Sequence, residues 1–154
     1  MSAKPGKWLF AVSACLLLLA AVPSAQAGTG SCSDTWTASC TAAANNICPA
    51  ANPCTITITH NSQGVAVAQV NGQTQTYVCV YAGQSVQWTE SGGSFSSTFA
   101  SAATPFNGGT TSFSPTSNTG TISTGAKGSC SQFSMTETVG GSTYHGDPKV
   151  VVHP

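Results

Sequence analysis

Val65-Ala66-Val67-Ala68-Gln69-Val70-Asn71-Gly72-Gln73-Thr74-Gln75-Thr76-Tyr77-Val78-Cys79-Val80-Tyr81 is the stretch on which the fold turns. Two valine-rich runs flank Asn71-Gly72, a pair that tolerates the two positive φ values of a type I′ turn. The pattern predicts a two-residue hairpin with Val70 opposite Gln73, Val67 opposite Thr76 and Val65 opposite Val78. Val65, Val67, Val78 and Val80 are then expected on one face, toward a core. Tyr77 and Cys79 are expected on the other.

The same period of two runs outward in both directions. Thr55-Ile56-Thr57-Ile58-Thr59 alternates polar and β-branched apolar residues, as a half-buried strand does. Ser85-Val86-Gln87-Trp88-Thr89 repeats the pattern after a turn at Ala82-Gly83. A long Gly/Ser/Thr region from Glu90 to Gly128 follows, punctuated by Phe95, Phe99, Phe106 and Phe113. Such spaced aromatics read as anchors onto a core rather than as a binding platform. Phe133, Met135, Glu137 and Val139 alternate on a further strand. Because Glu137 shares the parity of Phe133, it reads as a strand end or an irregularity. Gly140-Gly141 turns the chain, and Lys149 to Val152 closes the sheet. Many short strands with turns between them, and no long helical period, predict an all-β antiparallel sandwich or barrel.

The chain begins differently. Lys4 and Lys7 precede an apolar stretch from Trp8 to Val22, and Ala25-Gln26-Ala27 follows Pro23. Positive start, apolar middle and small-x-small ending make residues 1–27 a secretory signal peptide, too short in its apolar part for a good spanning helix. Val12-Ser13-Ala14-Cys15 offers a lipid anchor as the alternative, but Leu16 to Leu19 continue the apolar core beyond Cys15. Export to the periplasm or the cell exterior is expected, with no membrane association after cleavage.

Cysteine usage agrees with export. Of the 7 cysteines, Cys15 leaves with the signal. Cys32, Cys40, Cys48, Cys54, Cys79 and Cys130 remain, an even number that reads as three disulfides with fifteen possible connectivities. No pair has the C-x-x-C spacing of a zinc site. Residues 28–54 hold four of them, with Trp36 and Ile47 the main large apolar residues. This N-terminal segment depends on cross-links for its order. Residues 55–154 form the domain proper, in which Cys79 and Cys130 are expected on the faces turned away from the main core.

Charge sets limits on function. Charged residues are 5% of the chain, against roughly 25% in ordinary soluble domains. Lys127 and Lys149 stand against Asp34, Glu90, Glu137 and Asp147 after cleavage, so no run of phosphates could be neutralised and nucleic acid is excluded.

Three pieces, taken in order, resemble bacterial cupredoxin-like domains. They are Val78-x-Val80-x-x-Gly83-Gln84-x-Val86-x-Trp88, then Phe95-Ser-Ser-Thr-Phe99 with Thr104-Pro105-Phe106, then Gln132-Phe133-Ser-Met135-Thr-Glu-Thr-Val139 leading to Asp147-Pro148-Lys149-Val150-Val151-Val152. The resemblance covers about residues 55–153 and implies a Greek-key β-sandwich. It also implies copper, held in that family by a Cys, two His and an axial Met. Here the order is Cys130, Met135, His145, so the type 1 ligand set does not carry over.

The remaining chemistry is sparse. His60 follows the first strand at a turn, His145 precedes Gly146-Asp147-Pro148, and His153 is next to last. Each reads as a solvated loop histidine. The functional alternative is a copper or zinc site from His145, His153 and Asp147, with His60 or Met135 as further donors. Met135, alternating with Phe133, reads as core. No G-x-S-x-G elbow occurs, and Gly92-Gly93 and Gly108-Gly109 lack the lysine and strand–helix setting of a phosphate loop. Glu90, Glu137 and Asp147 could be paired on paper as glycosidase carboxylates, as any few acids could. The sequence therefore predicts an exported, non-catalytic domain that binds a protein or glycan through loops between Ser91 and Lys127, with a copper-binding or electron-transfer protein as the alternative.

Overall fold

The computed structural model describes Cys40 and residues 47–49, 53–100 and 104–153. Residues 1–27, expected to be a signal peptide, lie outside the described residues, as do Cys32 and most of the 28–54 segment.

Eleven strands occur among the described residues, with no α-helix. In chain order they are β1 (Cys54–His60), β2 (Ala66–Val70), β3 (Gln73–Gln75), β4 (Tyr77–Val80), β5 (Ser85–Glu90) and β6 (Ser94–Phe99), then β7 (Ser112–Phe113), β8 (Thr119–Thr121), β9 (Cys130–Val139), β10 (Ser142–Gly146) and β11 (Lys149–Val152). One sheet runs β3-β2-β1-β5-β8 and the other β4-β11-β9-β6-β7, with β10 also on β9.

The Asn-Gly turn forms as its chemistry requires, with φ of 54° at Asn71 and 73° at Gly72 and with Val70 paired to Gln73. The face expected for Val65 and Val67 is wrong, whereas Val78 and Val80 face the core and Tyr77 and Cys79 turn away from it, as expected. Ala66, Ala68 and Val70 are buried, whereas Val65 is 43% exposed and Val67 only half-buried. The ladder stops at Ala68–Gln75, because the chain leaves the sheet at Thr76 and β4 joins the other sheet beside β11. The Val65–Val78 and Val67–Thr76 pairs therefore never form. Pairing with β1, where Ala68 lies beside Ile58 and Ala66 beside His60, fixes the face of β2 instead.

That same crossing makes both sheets mixed, not antiparallel as expected. Strands β1 and β5 are parallel, and so are β4 and β11. Ile56, Ile58, Val86 and Trp88 from one sheet meet Val78, Val80, Phe99, Phe133, Met135, Val150 and Val152 from the other in one buried core. Trp88 packs edge-on against Phe133 with ring centroids 4.9 Å apart. Phe99 stacks on Phe133 at 4.8 Å, and Phe106 packs against Phe113 at 4.7 Å. All four phenylalanines of the 90–128 region point inward, as expected for anchors. The backbone at Gly120 passes so close that a Cβ there would lie 2.8 Å from both Phe106 and Phe113.

A second, smaller apolar cluster lies on the outer side of β4 and β11. It consists of Cys40, Cys79 and Val151, with Ile47, Tyr77 and Cys130 packed around them. Alternation along β4 and β11 turns Cys79 and Val151 away from Val78, Val80, Val150 and Val152. Cys40 is bonded to Cys79 across 39 residues, and Cys48 to Cys54. Cys130 is disulfide-bonded as well. Both body cysteines thus leave the main core. The disulfides suggest an oxidising environment.

Candidate functional site

Strand parity carries more than apolar residues to the core side. Ile56, Ile58 and His60 share one face of β1, and Val86, Trp88 and Glu90 one face of β5. Since β1 and β5 are parallel, with Ile58 beside Glu90, both strands deliver their last inward residue at the same end of the molecule. From the opposite sheet, β9 brings Phe133, Met135 and Glu137 on one face, and Glu137 is flanked by Phe95 of β6 and Tyr144 of β10.

There the two sheets are tied together by polar side chains. His60 Nδ1 lies 2.7 Å from Glu137 Oε2. Glu137 is fully buried, and the His60 side chain is 35% exposed. The His60 ring stacks on Tyr144 with centroids 4.0 Å apart and planes 6° from parallel. Glu137 Oε1 is buried and has no hydrogen-bond partner among the described residues. Taking a carboxylate out of water costs several kcal/mol unless partners compensate, and here one oxygen of two is compensated. With Glu137 ionised, its oxygens can only accept, so Nδ1 carries the proton that faces Oε2, and in the neutral imidazole Nε2 keeps its lone pair.

The backbone holds this arrangement locally. Asn61 Oδ1 accepts from the N–H groups of Gln63 and Val65, each at 3.0 Å, and fixes the turn that follows His60. A Cβ at Gly64 (φ 74°) would lie 3.9 Å from the Tyr144 ring. Glu90 turns its carboxylate onto the N–H groups of Gly92 and Gly93. The Gly93 bond, then the Gly92 bond, holds the Glu90 carboxyl below its ordinary value. Gly93 is required on its own account, since a Cβ there would collide with the Thr138 carbonyl. The Gly92-Gly93 amides thus do cradle an anion, and it is the chain's own carboxylate.

The residues singled out in the sequence are dispersed. His145 is exposed on the outer side of β10, with Nδ1 3.3 Å from Thr136 Oγ1. Asp147 is exposed in the short link between β10 and β11. The His153 ring stacks on Tyr81 at 5.2 Å, beyond the far end of β11. An extended strand puts Asp147 and His153 about 20 Å apart, so the sequence's candidate metal trio does not assemble. Among the described residues no group of three or more His, Cys, Asp or Glu comes together to hold a metal ion. Met135 is buried within the core, as expected. The copper centre that the family resemblance implies does not fit either, because Cys40, Cys48, Cys54, Cys79 and Cys130 are all consumed in disulfides. Glu137 is neither a strand end nor an irregularity. It sits within a regular ten-residue strand, occupied by His60.

The His60–Glu137 pair was missed in the sequence, although half its signal was there. A glutamate on the apolar parity of β9 is a buried carboxylate in want of a partner, and His60 extends the parity of Ile56 and Ile58. No protein-family model, curated protein or solved structure matches the chain.

Proposed function

We propose that this chain is an exported, non-catalytic binding domain, built on a scaffold that resembles the Greek-key cupredoxins but carries no type 1 copper centre. The observation that carries this reading is the disulfide bonding of every described cysteine, which leaves no thiolate for a redox metal. The basic-apolar-small pattern of residues 1–27 suits export, and disulfides persist where export leads. Two facing sheets suit the scaffold. The carboxylates give little support to hydrolysis, since Glu137 is buried against His60 and Glu90 is held by backbone amides. Partner contacts fall to the loops between Ser91 and Lys127, whose phenylalanines are turned inward and whose exposed residues include the polar, uncharged Asn107 and Thr116. Such a surface suits a protein or glycan partner.

The test uses the purified exported protein in a glycan and protein binding screen, together with a thiol assay and a Cu(II) titration followed by visible absorption. Saturable binding of a partner, no free thiol and no intense blue band are expected. A blue thiolate-to-copper band, or substrate turnover abolished by one side-chain change, overturns the reading.

A further inference from the structure

We infer that His60 Nε2 is a ligand position for a borderline divalent cation, Cu(II) or Zn(II), in an open site that holds water until a donor from the partner replaces it. The inference deepens the binding reading above and rests on it for the identity of that donor. Three observations at the open end of the sandwich lead to it.

The first is the fixing of the imidazole. Metal-ligating histidines almost always donate the other ring N–H to a carboxylate or carbonyl, which sets the tautomer and raises the basicity of the ligating nitrogen. Glu137 stands in that position on Nδ1 at 2.7 Å, and the Tyr144 ring fixes the imidazole plane. Nε2 makes no hydrogen bond with the described residues, on a side chain 35% exposed. A neutral imidazole nitrogen held in this way suits Cu(II) and Zn(II).

The second is the unanswered charge behind it. Glu137 is buried with Oε1 unpartnered. A cation on Nε2 polarises the Nδ1–H bond and places positive charge one ring away from the buried carboxylate.

The third is the distribution of charge along β9. Lys149 is paired in register with Gln132, and Lys127 precedes the start of the strand. Glu137 lies five residues beyond Gln132, about 17 Å along an extended chain. Both lysines among the described residues therefore sit at the other end, while Glu90 and Glu137 share this one. A cation is attracted here and is not supplied by the described chain.

The experiment uses the exported protein as purified and stripped with EDTA. Sub-stoichiometric Cu(II) is added while the imidazole signals of its three histidines are followed by long-range ¹H–¹⁵N NMR, and Zn(II) affinity is measured by calorimetry. His60 is expected to broaden first. His60→Ala should abolish the strongest Zn(II) site. Glu137→Gln should weaken it about 10- to 100-fold. Replacing both His145 and His153 with Ala should leave it unchanged. Broadening that begins at His145 or His153, or an unchanged affinity in His60→Ala, overturns the inference. The broadening needs no variant, so a Glu137→Gln protein that fails to fold does not remove the test. A partner captured equally well by metal-free protein and by His60→Ala also overturns the inference while leaving the binding reading intact. A Zn(II) site at His60 with no partner in any screen does the opposite.

Discussion

Strand β9 carries Phe133 and Glu137 four residues apart on one face, and the two neighbourhoods could hardly differ more. Phe133 meets Trp88 and Phe99 in an aromatic block where affinity comes from area and shape. Glu137 meets His60 and Tyr144, where one hydrogen bond offsets the burial of a charge. Parity assigns both residues to the inside and cannot tell packing from chemistry. What separates them is position along the strand, with the aromatic block in the middle and the polar cluster where β1 and β5 both end.

The widest gap between the two regions should open with Trp88→Ala. Removing a fully buried indole at the centre of the aromatic block should cost about 3–5 kcal/mol in urea unfolding. Trp88→Phe should lose much less, because Nε1 has no partner to forfeit among the described residues. At the polar end, His60→Ala strands a buried carboxylate and should cost about 2 kcal/mol at neutral pH. That is less than a fully buried pair would lose, since His60 is a third exposed. The double change His60→Ala with Glu137→Leu should recover most of that loss. If the double variant is as unstable as the single, the carboxylate is not the burdened partner. Ser97 is smaller in effect and opposite in sign. Its Oγ is buried without a partner beside Met135 in register, so Ser97→Ala should gain about 1 kcal/mol. Smallest of all is Glu90→Gln. A carboxyl held low by the Gly93 and Gly92 amides stabilises the fold above its ordinary value of 4.5 and loses that effect as pH falls through its lowered folded value. Wild type and Glu90→Gln should therefore differ slightly at neutral pH and converge in acid unfolding. A ¹³C titration of Glu90 that runs above 4.5 would contradict the amide contacts.

The sequence disclosed what is local. Asn71-Gly72 announces its turn because only a few residue pairs accept those backbone angles, and the inward phenylalanines follow from having nowhere else to go in so polar a stretch. The inward face of β2 was misread because a hairpin register does not say which side the other sheet lies on. That was decided by the departure of the chain at Thr76 and by the pairing of β2 with β1. Likewise an even cysteine count announces disulfides, but joining Cys40 to Cys79 depends on how the sheet is laid. His60 and Glu137 are 77 residues apart, so neither could name the other before the sandwich closed.

The disulfide between Cys40 and Cys79 has a consequence for handling the protein. Strand β4 ends its sheet, and the Ile47–Cys79 bridge with the Cys48 N–H on the Cys79 carbonyl occupies its outer rim. A reductant that releases Cys40 unfastens that cover, baring both unsatisfied peptide groups and the apolar side chains of Tyr77 and Val151. Such a rim recruits strands from other molecules. Dithiothreitol should therefore turn a clear solution cloudy well before the aromatic interior melts.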